Sequence, residues 1–131
     1  FIIQYTDDFT IDGCMIDYCD KPIQIYSQDG GTICGGTYIS SRTENPAILI
    51  AKSPKAIPPT TTKNIKIKDS YILGHYTGDT FSCIAISDAT NVKIGGNEIT
   101  FYTEYGLKYE RVTHLYVSDN NFNFVAKVID L

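Results

Sequence analysis

A short pattern recurs along this chain: apolar, any residue, apolar, four residues, apolar. It reads "FTIDGCMI" (9–16), "TICGGTYI" (32–39), "IKIKDSYI" (65–72), "VKIGGNEI" (92–99) and "LYVSDNNF" (115–122). In each copy the second core position and the last lie five apart: Ile11 and Ile16, Cys34 and Ile39, Ile67 and Ile72, Ile94 and Ile99, Val117 and Phe122. The copies begin 23, 33, 27 and 23 residues apart, so the motif is fixed while the intervals vary. A constant unit with variable spacers is the signature of a coil that takes its insertions in loops.

A weaker strand-like run precedes each motif from the second onward: "PIQIYS" (22–27), "AILIAKS" (47–53), "CIAISDA" (83–89) and "LKYERV" (107–112). Each turn is therefore expected to carry about three short strands. Alternation sends Val92 and Ile94 inward and Lys93 outward. No stretch holds helical apolar spacing for three turns, while β-branched residues, Gly, Asn, Asp and Pro dominate. The expectation is an all-β parallel solenoid of about five turns in a single domain, 1–131. The polar positions before the second strand (Asp8, Gly31, Asn64, Asn91, His114) and at the bend (Cys14, Thr37, Ser70, Asn97, Asn120) repeat as well. Stacked Asn side chains at such sites bond up and down the coil and hold corners.

Composition bounds the function. The net charge of −4 argues against a nucleic-acid backbone as partner, since phosphate contacts need clustered Lys and Arg. No apolar run approaches the length of a membrane-spanning helix. The four Cys (14, 19, 34, 83) show no CxxC pair and no zinc spacing, so free, buried thiols are expected, with no metal and no cofactor. Neither end shows an amphipathic cap, which reads as a piece of a longer β-helix or one capped by another chain.

"CIAISDATNVKIGGNEI" resembles the turn pattern of the pectin-lyase-like right-handed parallel β-helices, over most of residues 6–129. That superfamily includes pectate lyases, polygalacturonases and bacteriophage tailspikes. The resemblance implies right-handed coiling, in line with the general crossover preference. It also implies an extracellular or virion-surface protein acting on polysaccharide. Polygalacturonases carry an aspartate pair directly before a strand like "CIAI" (83–86). Here Phe81 and Ser82 stand there, Asp79 is displaced by two, and the next turn lacks the Gly-His-Gly of those enzymes. The resemblance is therefore nearest to a tailspike that binds, and in some members depolymerises, bacterial surface polysaccharide. Tailspikes are commonly trimers, so a homotrimer fits the resemblance. A secreted polysaccharide lyase or glycoside hydrolase is the second reading. A structural or adhesin solenoid without catalysis is the third.

Two surfaces are candidates. The connections after the third strand are long in three successive turns: "SSRTENP" (40–46), "LGHYTGDTFS" (73–82) and "TFYTEYG" (100–106). Stacked, they gather Arg42, Glu44, His75, Tyr76, Tyr102 and Tyr105 as sugar contacts. Asp79 and Glu104 are the carboxyl pair with the acid/base or nucleophile chemistry of glycoside cleavage. The plainer reading is solvated loop acids. The second surface is an outward column of Thr10, Ile33, Lys66, Lys93 and Tyr116, beside Met15, Tyr38, Tyr71, Glu98 and Asn121, along which an acidic polysaccharide could lie. Its plainer reading is a solvent face with cross-strand charge pairing.

Overall fold

The computed structural model describes residues 1–53, 55, 60–74, 82–101 and 105–124. Thirteen strands are described there: β1 (Ile2–Gln4), β2 (Thr10–Asp12), β3 (Met15–Cys19), β4 (Ile23–Tyr26), β5 (Asp29–Cys34), β6 (Tyr38–Ser41), β7 (Ile48–Ala51), β8 (Thr62–Lys68), β9 (Tyr71–Gly74), β10 (Ser82–Gly95), β11 (Glu98–Phe101), β12 (Tyr105–Ser118) and β13 (Asn121–Phe124). Every pairing among them is parallel. One sheet runs β1-β4-β7-β10-β8-β5-β2, with β12 on β10; the other runs β13-β11-β9-β6-β3.

The two long strands explain that order. The first half of β10 pairs with β7 and its second half with β8, while β12 follows β10 along both halves. The chain thus climbs through three columns in turn, and about four turns separate β1 from the matching part of β12. The structure is a parallel β-solenoid matching a right-handed parallel β-helix. The first two of the expected three short strands per turn merge into one long strand in the last two turns, β10 and β12, which stay in register with each other through the bend, while the third stays separate as β11 and β13.

Parallel strands buried inside a coil need apolar side chains at alternate positions. The core is nearly all isoleucine, in stacked columns: Ile25, Ile50 and Ile86; Ile65 and Val92; Ile33, Ile67 and Ile94; Ile39, Ile72 and Ile99. Identical branched side chains one strand spacing apart stack on one another in a few fixed rotamers. Burying each contributes roughly 1.5–3 kcal/mol before entropy is charged against it.

The second copy of the repeat is phased differently from the sequence reading. Ile33, not Cys34, pairs with Ile11 and Ile67 and is fully buried; Cys34 is half-buried. The outward column is accordingly Thr10, Thr32, Lys66, Lys93 and Tyr116, without Ile33. The cause is a corner one residue longer in this turn. Gly35 and Gly36, both at positive φ, absorb the extra residue before Tyr38 restores the register. Gly31 is explained by packing: it falls opposite Ile65, and a Cβ there would lie inside the Phe9 ring, which fills the core from the turn below.

Each turn bends at defined positions. The first bend places Ser27, Asp88 and Arg111 in the left-handed region, and Asn64, Asn91 and His114 follow there. The second bend places Gly13, Gly36, Asp69, Gly96 and Asp119 there. Gly, Asn and Asp tolerate that conformation best, which is why they punctuate the repeat. His114 holds a corner position.

The cysteines divide. Among the described residues all four are free thiols, but only Cys83 is buried; Cys14 is exposed and Cys19 and Cys34 are half-buried. Burial pushes the Cys83 thiol up to about 12.

Candidate functional site

The strands β6, β9 and β11 are bounded by two unlike corners. At their starts lies a ladder of buried polar side chains. Asn97 Oδ1 accepts from Ser70 N–H (3.0 Å), and its amide donates to Ile67 C=O (2.9 Å) and to Asn120 Oδ1 (3.0 Å). Asn120 Oδ1 also accepts from Asn97 N–H (3.0 Å), and the Asn120 amide donates to Ile94 C=O (2.8 Å). Two turns below Asn97, Thr37 does the same work, accepting from Cys14 N–H and donating to Cys34 C=O (2.7 Å). Among the described residues no buried side-chain N or O atom lacks a partner. A second ladder on the first bend links Asn91 to Asn64 (2.7 Å) and Asn64 to Asp29 (3.0 Å). These asparagines are structural.

At the ends of the same strands lies the loop corner. Ser41 pairs with Gly74, and Gly74 with Phe101, so the three connections leave from stacked positions, as expected. They return at Ile48, Ile84 and Leu107, again stacked. Asp79 and Glu104, and with them His75, Tyr76 and Tyr102, lie outside the described residues. Arg42 is engaged within the protein: its Nε donates to Asp20 Oδ1 at 2.6 Å, and the guanidinium holds the Asp20 carboxyl below the usual range. Glu44 is exposed on the same connection. Tyr105 is exposed at the start of β12, with Lys108 Nζ 5.4 Å from its ring centre. Lys108 in turn lines an open hollow of about 250 Å³ whose walls include Leu49, Ala85 and Tyr109.

Between the two corners the outward face of the second sheet forms a platform. Tyr38 and Tyr71 are register partners on adjacent turns, about 4.8 Å apart along the coil. Glu98 follows Tyr71 on the next turn and Asn121 follows Glu98. The Glu98 carboxylate is held in place: its Oε2 accepts from Asn121 Nδ2 (3.0 Å) and Asn123 Nδ2 (3.1 Å). Tyr71 and Glu98 border two hollows at once. One, of about 140 Å³, extends over Leu73 and Thr100; the other, of about 300 Å³, wraps the bend past Asp69 and Gly96. Tyr71 is 54% exposed, and among the described residues it is the large exposed aromatic of the middle turns.

Across the bend runs the lysine column. Lys66 and Lys93 are direct register partners on the outer face, and Lys93 Nζ lies 5.7 Å from the centre of the Tyr116 ring. They border an open groove of about 510 Å³ that reaches down to Asp7, Asp8 and Asp29. Like charges side by side on paired strands destabilise each other slightly. Asp29 is already paired with Lys63 at 3.4 Å.

The described residues hold no cluster of three or more His, Cys, Asp or Glu fit for a metal ion. Chemically, the platform offers aromatic faces, a fixed carboxylate and side-chain amides at strand spacing, with cations around one bend. No protein-family profile, curated protein or solved structure matches the chain. Sequence reasoning had placed Tyr71, Glu98, Lys66 and Lys93 together from the repeat register. It missed the clamp of Asn121 and Asn123 on Glu98, whose signal is the alternation of Asn121, Phe122 and Asn123 two turns above Tyr71.

Proposed function

We propose that this solenoid binds an extended polysaccharide along the outer face of its second sheet, in the manner of a tailspike-like or adhesin β-helix. The observation that carries the reading is the Tyr38–Tyr71–Glu98 column. Two tyrosines one strand spacing apart offer ring faces to the C–H face of successive sugars, and rings of this kind bury large area at little entropy cost. Glu98, oriented by two amides, accepts sugar hydroxyls beside them. The platform rests on strands pinned by the Asn97–Asn120 ladder, so little ordering is required on binding. A bacterial surface glycan is the expected partner, and an extracellular or virion-surface setting goes with it.

Cleavage is a separate element of the proposal. It is assigned to Asp79 and Glu104, which follow the stacked anchors Gly74 and Phe101 on neighbouring turns. The test is binding to an array of purified bacterial polysaccharides, followed by calorimetry on any hit. Tyr38→Ala/Tyr71→Ala should weaken binding at least tenfold with the fold intact. Retained affinity in that variant would sink the platform reading. If a bound glycan is also cleaved, Asp79→Asn or Glu104→Gln should abolish turnover and leave binding in place.

A further inference from the structure

Lys66 and Lys93 stand side by side on the outer face of the first sheet, in the middle of the coil. They are register partners on β8 and β10, one strand spacing of about 4.8 Å apart. Both are exposed, and Lys68 follows on the next outward position of β8, opposite Gly95. Among the described residues none of the three is in an ion pair, whereas Lys52 and Lys63 each hold an aspartate. Like charges directly opposite each other weaken the pairing of their strands. In a chain of net charge −4, such a patch of unpaired ammoniums is an arrangement that a bound anion would relieve.

A second column runs beside the lysines. Two residues earlier on the same strands, Asn64 and Asn91 sit at the first bend with left-handed backbone (φ 61° and 56°). Asn91 Nδ2 donates to Asn64 Oδ1 (2.7 Å), and Asn64 Nδ2 donates to Asp29 Oδ1 (3.0 Å), so each amide is fixed by the turn below it. Each Nδ2 keeps a second N–H, and Asn91 Oδ1 accepts from none of the described residues. Lysines and asparagines together line one open groove of about 510 Å³. Asp29 in that groove is paired with Lys63, and Asp7 and Asp8 lie at its other end, two turns below Lys66.

We propose that this groove binds an acidic sugar of a polysaccharide, with its carboxylate between Lys66 and Lys93 and its hydroxyls on Asn64 and Asn91. A lysine ammonium holds an anion as a compact point charge, and two of them one strand spacing apart take one carboxylate between them. The amides supply what a bare anion does not use: donors and an acceptor for hydroxyl groups, at fixed positions. A nucleic-acid strand fits the groove less well, since its phosphates need a longer run of cations and meet Asp7 and Asp8 at the far end. The proposal rests on the glycan reading for the class of ligand and names that glycan as acidic. It uses no residue of the tyrosine platform.

The test is amide NMR of the 131-residue chain titrated with glucuronate, with glucose and inorganic phosphate compared at equal ionic strength. Glucuronate should shift the amides of Lys66, Asn91 and Lys93 along a saturable curve. Glucose should not, and phosphate should bind at least fivefold more weakly. Lys66→Gln/Lys93→Gln, which removes a repulsion between exposed side chains and so keeps the fold, should weaken glucuronate at least tenfold. Asn91→Gly, which suits the left-handed bend, should weaken glucuronate and leave phosphate unchanged. Tyr38→Ala/Tyr71→Ala should leave all these shifts in place, so failure of the platform and failure of the groove are told apart. Glucuronate shifts that are absent from the groove, matched by glucose or undiminished in the lysine variant would overturn the proposal. So would phosphate binding as tightly as glucuronate, or a short single-stranded DNA outcompeting a uronic-acid oligosaccharide of equal charge.

Discussion

The same three strands, β6, β9 and β11, begin at one kind of corner and end at another, and the contrast explains how the molecule divides its labour. At the beginning the corner is short, buried and hydrogen-bonded from turn to turn through Thr37, Asn97 and Asn120. At the end the chain leaves in connections of unequal length from stacked anchors. A corner whose side chains bond to the turns above and below tolerates little change in length: the second turn takes one extra residue and keeps Thr37 bonded only with Gly35 and Gly36 both at positive φ. The loop corner returns the chain to stacked positions at Ile48, Ile84 and Leu107 and varies in length, since loop closure depends weakly on length. Its described connection is held by bonds of its own, Ser41 Oγ to Asn45 C=O (2.6 Å) and Thr43 Oγ1 to Asp20 C=O on the turn below (2.8 Å). Stability is concentrated on one edge of the platform and variation on the other.

The comparison breaks most visibly by insertion. Two residues added between Gly96 and Asn97 should abolish cooperative unfolding, read as loss of a sharp thermal transition. The same two added between Arg42 and Asn45 disturb the Ser41–Asn45 and Thr43–Asp20 bonds and should cost about 1–3 kcal/mol in a urea melt, with the sharp transition kept. Point changes come next. Asn97→Ala removes donors and an acceptor from a residue only 2% exposed, leaving Ser70 N–H and Ile67 C=O unsatisfied. A loss of about 3 kcal/mol is expected by denaturant unfolding. Thr37→Val, which keeps the shape and removes one hydroxyl, should cost about 1.5 kcal/mol by the same measurement.

The smallest effect sharpens the contrast through pH. Asp20 at the loop corner and Asp88 at the first bend are both held below the ordinary carboxylate value of 3.8, chiefly by hydrogen bonds from Arg42 and Arg111. A depressed native value contributes stability above the unfolded value that is lost as pH falls through the native one. Arg42→Gln or Arg111→Gln should therefore flatten the acid limb of a stability–pH profile below about pH 4, through a small loss of stability at neutral pH and none at the lowest pH. An unchanged acid limb would show that these exposed pairs carry nothing.

The coil was legible in the sequence because a solenoid repeats its core chemistry every turn. Ile67, Ile94 and Val117 recur at fixed distance from Ile72, Ile99 and Phe122, and those pairs are in register as read. The reading slipped at Cys34. Cysteine passes for an apolar core residue, and fixed spacing made it the partner of Ile39. Only the backbone shows that Gly35 and Gly36 lengthen that bend and leave Ile33 inside. Burial of all four cysteines failed for a related reason, since Cys14 sits on an exposed bend. The platform was legible as register, because Tyr38, Tyr71 and Glu98 hold equivalent positions. The orientation of Glu98 was not, since it depends on amides from Asn121 and Asn123 on the next strand. Loop chemistry is the least legible, because a connection carries no period to phase it.

Amide hydrogen exchange, resolved by residue, tests the central contrast most directly. The account predicts that Ser70 and Asn97, whose N–H groups are capped by the next turn's asparagine, exchange at the slow limit set by global unfolding, while amides at 43–45 exchange by local opening orders of magnitude faster. Equal protection at the two corners, or faster exchange at Ser70 and Asn97, would contradict it.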